Sequence, residues 1–400
     1  MEITADWLKA APTRRVFEAL ETMERNGSRF VGGCVRNTVM GRPVDDIDLA
    51  TKLVPEQVQS ALKAADIRAI PTGIEHGTVT AICEGVPFEI TTLRRDVDTD
   101  GRRAVVAFTR DWAEDAQRRD FRLNALYSDG TGKVYDPTGM GFSDAQSGQV
   151  VFIGDPDLRL REDYLRILRF FRFNAWYGQE IDAAGLTACA RQSSGLSRIA
   201  RERIWRELTK LFSAPEPQDA TAAMAEIGVL TTLMGSRLLS TSRLGKLVSV
   251  ENQFHLSPDP VRRLIALLPR DTEYIHDVSE ALRLSNRERD RILAWANDDL
   301  PDLGQEEGAP LLAGLYRFGP QAVFDRALTA ALDHGQLPTQ HMLSTCDTWQ
   351  SPDLPIGGDD ALAAGYRGPE IGAALKRVED AWLASGLSLS RSELLALLKR

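Results

Sequence analysis

Two aspartates spaced two residues apart, Asp46 and Asp48, are the strongest chemical signal in the sequence. The apolar pattern predicts a short strand at residues 47–50, and alternate residues of a strand leave the same face. Two carboxylates on one face repel each other unless a cation lies between them. A divalent ion such as Mg²⁺ prefers one or two carboxylates together with phosphate oxygens. The alternative is a pair of solvent-facing aspartates on an edge strand.

A third carboxylate, Glu89, lies in a predicted strand at residues 86–91, which we expect beside the strand of Asp48. In that position Glu89 would join the aspartates as a further acidic group. It would otherwise be an exposed strand residue, and the sequence leaves both interpretations open.

A glycine pair, Gly32-Gly33, follows a predicted strand at residues 28–31 and precedes a predicted helix at 35–40. Glycines let backbone N–H groups at the start of a helix approach a phosphate. Arg36, one turn further on, would supply positive charge for a triphosphate. Alone, the pair is equally typical of an ordinary turn.

Two more segments concentrate charge beside apolar residues. One is Arg118-Arg119-Asp120-Phe121-Arg122-Leu123-Asn124, and the other runs from Gly154-Asp155-Pro156 through Glu162-Asp163 to Arg172. If the second segment is helical, residues 163, 166 and 169 share one face, and residues 162 and 166 form an i,i+4 pair. Arginines on a mostly apolar helix require hydrogen-bond or ion-pair partners, or a cleft that contains solvent. A purely structural ion-pair network is the rival interpretation.

The charged and glycine-containing motifs fall into three blocks: residues 31–51, residues 118–126 and residues 154–173. In content, order and separation, these blocks resemble the class II nucleotidyltransferases of the polymerase-β superfamily, which comprise bacterial CCA-adding enzymes and poly(A) polymerases. The resemblance spans roughly the first 215 residues closely and the remainder weakly. One departure is Asn37, where the family usually has aspartate. That position is not a metal ligand in the family, so the chemistry is little affected.

The resemblance implies a site. Asp46 and Asp48 would be catalytic and bind Mg²⁺, and Glu89, from its place in the neighbouring strand, is the candidate for a third catalytic carboxylate. The implied nucleotide-binding residues are Gly32, Gly33, Arg36, Arg119, Asp120, Asn124, Glu162, Asp163, Arg166, Arg169 and Arg172.

In this family, protein side chains select the base, and the chemistry of Asp163 and Arg166 suits that role. Cytosine and adenine both present an amino donor beside a ring-nitrogen acceptor, whereas guanine and uracil present a carbonyl beside an N–H. A carboxylate accepts from the amino group, and a guanidinium donates to the ring nitrogen. The pair therefore accepts C and A and rejects G and U, but it cannot separate C from A by pattern.

The implied activity is template-independent addition of C, C and A to the 3′ end of tRNA from CTP and ATP. The expected partners are tRNA and these two nucleotides, with no membrane and no protein partner implied. A poly(A) polymerase or an enzyme that adds only CC or only A is the nearest alternative. An inactive RNA-binding scaffold is a remote one, since both aspartates are present.

The implied fold class is α+β, a small-sheet nucleotidyltransferase head followed by helical parts. The expected domains are a head at 1–150, a nucleotide-selecting neck at 151–215, a body at 216–300 and a tRNA-binding tail at 301–400. Residues 96–103 show no periodicity, so we expect a mobile loop there, which in the family accompanies addition of the terminal A.

Composition sets the broad class. The chain has 400 residues, 43% hydrophobic and 26% charged, and a formal net charge of −9. Residues 151–215 are locally basic, with eleven Lys or Arg against eight Asp or Glu, which suits a phosphate ligand. No apolar run approaches the roughly 20 residues of a membrane helix. Four scattered cysteines and an acidic N-terminus without a signal-peptide pattern predict a cytoplasmic protein.

Overall fold

The structure, a computed structural model, describes residues 1–99, 104–237, 239–303 and 307–399. Its strands are β1 Ser28–Val31, β2 Ile47–Thr51, β3 Arg68–Gly73, β4 Thr78–Cys83, β5 Val86–Thr92, β6 Arg94–Thr99, β7 Ala104–Phe108, β8 Tyr127–Ser128 and β9 Val134–Tyr135.

Helices precede, separate and follow these strands. They are α1 Asp6–Lys9, α2 Ala11–Met23, α3 Gly33–Val39, α4 Pro55–Ala64, α5 Trp112–Gln117, α6 Gly141–Ser147, α7 Pro156–Glu162, α8 Leu165–Tyr177, α9 Ala183–Gln192, α10 Arg201–Phe212, α11 Gln218–Glu226, α12 Val229–Met234, α13 Thr241–Gln253, α14 Pro260–Leu267, α15 Thr272–Leu282, α16 Asn286–Ala296, α17 Ala309–Phe318, α18 Pro320–His334, α19 Gln340–Thr348, α20 Gly358–Ala363, α21 Pro369–Ala384 and α22 Arg391–Leu398. Three short 3₁₀ turns lie at Ile74–His76, Arg122–Asn124 and Ser193–Arg198.

The chain divides into two compact units, residues 1–200 with 226–232, and residues 201–225 with 233–400. The first unit contains a seven-stranded mixed sheet in the order β3-β4-β5-β2-β1-β8-β9. Strands β2 and β5 pair in parallel, and the other neighbours are antiparallel. The predicted α+β head with a small sheet is confirmed.

Local sequence explains the central elements of this sheet. The hairpin between β4 and β5 turns at Glu84 and Gly85, both with positive φ, as a tight two-residue turn requires. Helix α4 starts with Pro55 at its first position and buries Val58 and Leu62. Helices α2 and α4 pack together and against β4, which leaves the opposite face of the sheet for other groups.

The expectation of a loop over residues 96–103 is wrong in part. Strand β6 pairs with β7 as an antiparallel two-stranded sheet, with an irregularity between Asp96 and Asp98. Five of the six residues of β6 are polar or charged, so the sequence has no apolar alternation that would mark a strand there. Residues 100–103 lie outside the described part of the chain.

The second unit is helical, as the sequence predicts. Its helices surround a fully buried carboxylate, Glu251, which accepts from Nε of both Arg262 and Arg263, each at 2.8 Å. Arg263 also donates to the carbonyls of Phe212 and Ala214, at 2.6 and 2.5 Å. The end of α10 and the segment that follows it are therefore held in the core of this unit.

The predicted four-part division into head, neck, body and tail is finer than these two units, and it stays a prediction. Among the helices of the described ranges, none is both long and apolar enough to cross a membrane.

Candidate active site

Three carboxylates gather where β2 and β5 run side by side. Asp48 in β2 stands in register with Glu89 in β5, so the predicted neighbourhood of the two strands is confirmed. Asp46 lies just before β2, which begins at Ile47; it is not a strand residue as the spacing suggested. Burial raises the pKa of Asp48 to about 6, and the charges of Glu89 and Asp46 act in the same direction, against Arg119.

This donor set fits a divalent cation. Within the described residues, Asp46, Asp48 and Glu89 form no ion pair with a protein cation, so the local excess of negative charge is left for another positive group. The same part of the chain has no group of three or more His, Cys, Asp or Glu side chains arranged to enclose a metal. Ions that take one or two carboxylates and complete their shell with phosphate oxygens and water need no such enclosure.

The raised pKa of Asp48 predicts a pH dependence. A carboxyl group must lose its proton to bind a cation, and half of this group is protonated near pH 6. At subsaturating metal the rate should therefore rise with pH through about 6. Saturating metal competes with the proton and should move the inflection to lower pH. Rates measured across this range at two metal concentrations check the prediction, and a flat profile at low metal would contradict it.

The glycine pair opens α3 beside the carboxylates. Gly32 has φ +70°, a conformation that favours glycine, and a Cβ there would lie 3.8 Å from Nη1 of Arg119. Gly33 is the first residue of α3, and a Cβ there would lie 4.0 Å from Nη2 of Arg36. A Cβ at either glycine would therefore lie in van der Waals contact with one of these arginines.

Arg36 is buried, with 6% of its surface exposed, and its hydrogen-bond partners are neutral. It donates to Oδ1 of Asn124 at 2.6 Å, to the hydroxyl of Tyr177 at 2.8 Å and to Oδ1 of Asn37. Burial lowers its pKa, Tyr177 opposes that change, and the nearby Arg172 adds to it. A buried guanidinium with neutral partners keeps its positive charge for an anion.

Arg119 is held by Asp115 of α5. Its Nε and Nη2 donate to Oδ2 of Asp115 at 3.3 and 3.1 Å, and its Nε also donates to the hydroxyl of Tyr127. Arg118 donates to the other oxygen, Oδ1, at 2.9 and 2.8 Å. Burial alone would raise the pKa of Asp115, but Arg119 and Arg118 outweigh it and hold the value at about 2.

Asp120 links the second and third blocks of the sequence. Its Oδ2 accepts from Nε of Arg169 at 2.7 Å, and its Oδ1 accepts from Nδ2 of Asn124 at 3.0 Å. Arg169 and these hydrogen bonds overcome burial and lower the pKa of Asp120 to about 2. Because Asn124 also accepts from Arg36, one continuous network joins all three blocks.

The ring of Phe173 forms the apolar floor of this network. The guanidinium carbons of Arg172, Arg36 and Arg169 lie 4.3, 5.2 and 5.4 Å from its centroid. Three guanidinium groups therefore lie around one buried ring, whose face offsets part of their mutual repulsion.

Asp163 does not lie on the predicted helix. The chain breaks between α7 and α8, and Oδ1 of Asp163 accepts from the N–H of Leu165 at that break. The Glu162–Arg166 pair is present at 2.5 Å, across the same break. Arg166 also donates to the carbonyls of Arg159 and Arg118, at 3.0 and 2.9 Å, so protein acceptors fix its orientation.

Two supporting residues, Asp115 and Tyr177, are absent from the predicted site. Asp115 precedes Arg118 and Arg119 by three and four positions, and this helical spacing could have identified it. Tyr177 lies 141 residues from Arg36, and no local pattern predicts that contact.

Comparison with known proteins places these features in a family. The model for the Poly A polymerase head domain matches residues 28–151, and the model described as "Probable RNA and SrmB- binding site of polymerase A" matches residues 178–235.

Curated relatives cover most of the chain. The CCA tRNA nucleotidyltransferase 1, mitochondrial, of Danio rerio is 33% identical over 93% of this chain and 87% of its own length. The CCA-adding enzyme of Limosilactobacillus fermentum is 32% identical over 89% of each chain. Among solved structures, the Bacillus stearothermophilus CCA-adding enzyme in complex with CTP has the same fold, with a TM-score of 0.78, 24% identity and 97% coverage of both chains.

Proposed function

The chain belongs to the family of CCA-adding tRNA nucleotidyltransferases, and from that premise we propose how its own residues carry out the reaction. It adds C, C and A to the 3′ end of tRNA, using CTP and ATP and releasing diphosphate, without a nucleic-acid template. The tRNA 3′-hydroxyl attacks the α-phosphate of the bound nucleotide, and the bond to the diphosphate leaving group breaks.

The observation that carries the proposal is the convergence of the three sequence blocks. The carboxylates of Asp46, Asp48 and Glu89 face the same region as Arg119. The charge of Arg119 lowers the pKa of Asp48. The network that joins Arg36, Asn124, Asp120 and Arg169 supplies positive charge and fixed donors at the neighbouring position. Negative groups for a metal ion and positive groups for a triphosphate are therefore adjacent, as nucleotidyl transfer requires.

Asp46 and Asp48 would hold a divalent metal, which the family generally uses, and we propose Mg²⁺ as that ion. When bound, a divalent ion lowers the pKa of a hydroxyl and neutralises charge on phosphate oxygens. The two aspartates would hold that ion, and Arg36 and Arg119 would bind phosphate oxygens of the nucleotide. Removal of metal by a chelator should stop addition, and Mg²⁺ rather than Zn²⁺ or Ca²⁺ should restore it; restoration by those ions alone would contradict the assignment.

Base selection falls to Asp163 and Arg166, and Arg166→Ala should impair it. Loss of the guanidinium removes the donor that C and A satisfy and G and U do not. Leaving a buried polar group unpaired costs about 1–3 kcal/mol, so incorporation of UTP or GTP relative to CTP should rise by roughly ten-fold or more. Competition assays with all four nucleotides measure this ratio separately from the overall rate.

Arg161→Ala is the matched control, because Arg161 is an exposed arginine on α7 for which the structure shows no side-chain hydrogen bond. It should leave the selectivity unchanged. If Arg166→Ala were slower but equally selective, Arg166 would have only a structural role. It would then stabilise the break between α7 and α8 through its bonds to Glu162 and to the carbonyls of Arg159 and Arg118.

Three finer assignments belong to this proposal. Complete CCA addition rather than CC or A alone follows from the presence of residues 96–103 between the Glu89 strand and the Arg119 block. When residues 96–103 are replaced by a Gly-Ser linker, the tRNA products should end in CC. The head, neck, body and tail keep their proposed roles in catalysis, base selection and tRNA binding.

A cytoplasmic location is supported by four free, buried cysteines, and cell fractionation tests it.

A further inference from the structure

Arg29 of β1 lies between two aromatic rings. Its guanidinium carbon is 4.2 Å from the ring centroid of Trp112 and 3.8 Å from that of Tyr135. Among the residues that the structure describes, this half-buried side chain has no hydrogen bond and no ion pair. A guanidinium carries five N–H donors, so the donors of Arg29 are left for solvent or for a ligand.

Two lysines lie beside the same rings. Nζ of Lys52 is 6.0 Å from the Trp112 centroid. Nζ of Lys133 is 5.3 Å from the Tyr135 centroid. Lys52 follows β2, Arg29 is in β1 and Lys133 precedes β9, and these strands occur in the sheet in the order β2-β1-β8-β9. The three cations are therefore spread across the sheet, and together with the two rings we call them the basic stripe.

The basic stripe holds its cations with uncharged groups. A ring face attracts a cation without cancelling its charge, whereas a carboxylate would cancel it. Burial lowers the pKa of Arg29, and Tyr135 and Asp129 oppose that change. The oxygens of Asp129 accept from the Tyr135 hydroxyl at 3.0 Å and from Thr131. Within the described ranges neither lysine pairs with a carboxylate, so the stripe keeps its positive charge for an external anion.

A groove continues the stripe at Lys52. It measures about 620 Å³, and the ring of Phe108, which lines it, is 43% exposed. Arg95 and Arg110 also line this groove, and each pairs with a glutamate. Such exposed ion pairs are weak, so these arginines can turn to a phosphate. An exposed ring beside cations is a surface on which a base can stack.

We propose that the basic stripe binds the phosphate backbone of the tRNA substrate. The inference rests on the proposed function, which identifies the RNA. A polymer with a phosphate on every nucleotide can contact three separated cations at once, whereas a small anion would contact only one. The rings hold the cations in place before the RNA binds, which lowers the entropic cost of binding.

The stripe lies on the same face of the sheet as the candidate metal-binding carboxylates. Arg29 pairs with Ala50 across β1 and β2, and Asp48 precedes Ala50 by two positions. Lys52 follows Asp48 by four positions, which is about 13 Å along a strand. A tRNA whose 3′ end lies at Asp48 would therefore contact the stripe with nucleotides that precede this end. The incoming CTP or ATP would not contact it.

Two variants test the stripe. Arg29→Gln should raise Kd and KM for tRNA by roughly ten-fold, the effect of one lost charge-assisted contact. The double variant Lys52→Gln, Lys133→Gln should weaken tRNA binding to a similar degree. In both variants the dependence of log Kd on log salt concentration should become shallower by about one for each lost phosphate contact. KM for CTP, and kcat at saturating tRNA, should stay unchanged.

The probe is tRNA that lacks its 3′-terminal CCA, bound to the full chain over about 50–200 mM salt. The control is Arg68→Gln, at an exposed arginine of β3, the opposite edge strand of the same sheet. It should match the original protein in Kd, salt dependence and both KM values. Thermal unfolding shows whether the variants are folded. If Arg29→Gln does not fold, the double lysine variant carries the test through its salt dependence.

Unchanged Kd and unchanged salt dependence in both stripe variants would overturn the proposal. A rise in KM for CTP equal to that for tRNA would also overturn it, because such a change indicates damage to the nucleotide site. Failure of the proposed function looks different: the original protein itself would then not extend tRNA.

Discussion

Replacing Asp48 with asparagine should lower the rate of nucleotide addition by on the order of 10³-fold, since loss of metal stabilisation removes about 4 kcal/mol from the transition state. The change keeps the size of the side chain and relieves repulsion with Glu89 and Asp46. The protein should therefore unfold at the same temperature or higher, and tRNA binding should be nearly unchanged. Single-turnover rates, melting curves and a tRNA binding assay measure the three quantities.

Asp46→Asn should behave in the same way, while Asp66→Asn provides the control. Asp66 is exposed in the turn after α4, and its positive φ is a conformation that asparagine also tolerates. Addition by either active-site variant at a rate near that of the original protein would show that the reaction does not depend on these carboxylates.

The second large effect is expected at Asp115, where asparagine should destabilise the fold by about 3–5 kcal/mol. Asp115 is 1% exposed and accepts hydrogen bonds from Arg118, Arg119 and Tyr127. An amide supplies one acceptor oxygen and turns an NH₂ group toward one of the arginines, which leaves a half-buried cation unpaired. Denaturant unfolding measures the loss, and KM for CTP should rise because Arg119 is released.

The pH dependence of this loss identifies its cause. The pKa of Asp115 is about 2 in the folded protein, below the value of an aspartate in the unfolded chain. Its carboxylate therefore stabilises the fold fully at pH values above the unfolded pKa, and this contribution is lost as the pH falls through about 2. The difference between original and variant should therefore be constant above about pH 5. Asp111→Asn is the control, since asparagine caps a helix as well as aspartate does. Equal stability of Asp115→Asn and Asp111→Asn would contradict the account.

The central strands can be located from the sequence because their signals are local. The strand predicted at residues 28–31 has the same bounds in the structure, Ser28–Val31. Strand β3 was missed because it lies at the sheet edge, where Pro71 and Gly73 are tolerated and alternation is weak. Strands β8 and β9, with two residues each, are too short for any periodic signal.

In the candidate site, too, only the features with a local signal could be predicted from the sequence. Spacing within each block identified the charged residues, but it could not say which acceptors they face. The contact of Arg36 with Tyr177 and that of Arg169 with Asp120 join residues 141 and 49 positions apart. Such pairs depend on how α8 packs beside α3 and the segment around Asp120, and local sequence patterns do not predict that packing.

Incubation of the protein with tRNA that lacks its 3′-terminal CCA tests the central claim most directly. CTP and ATP are supplied singly and together, and the products are sequenced. We expect CTP alone to give tRNA ending in CC, both nucleotides to give CCA and no further addition, and ATP alone to give no extension of this substrate. A ladder of A residues from ATP alone, or no use of CTP, would contradict it.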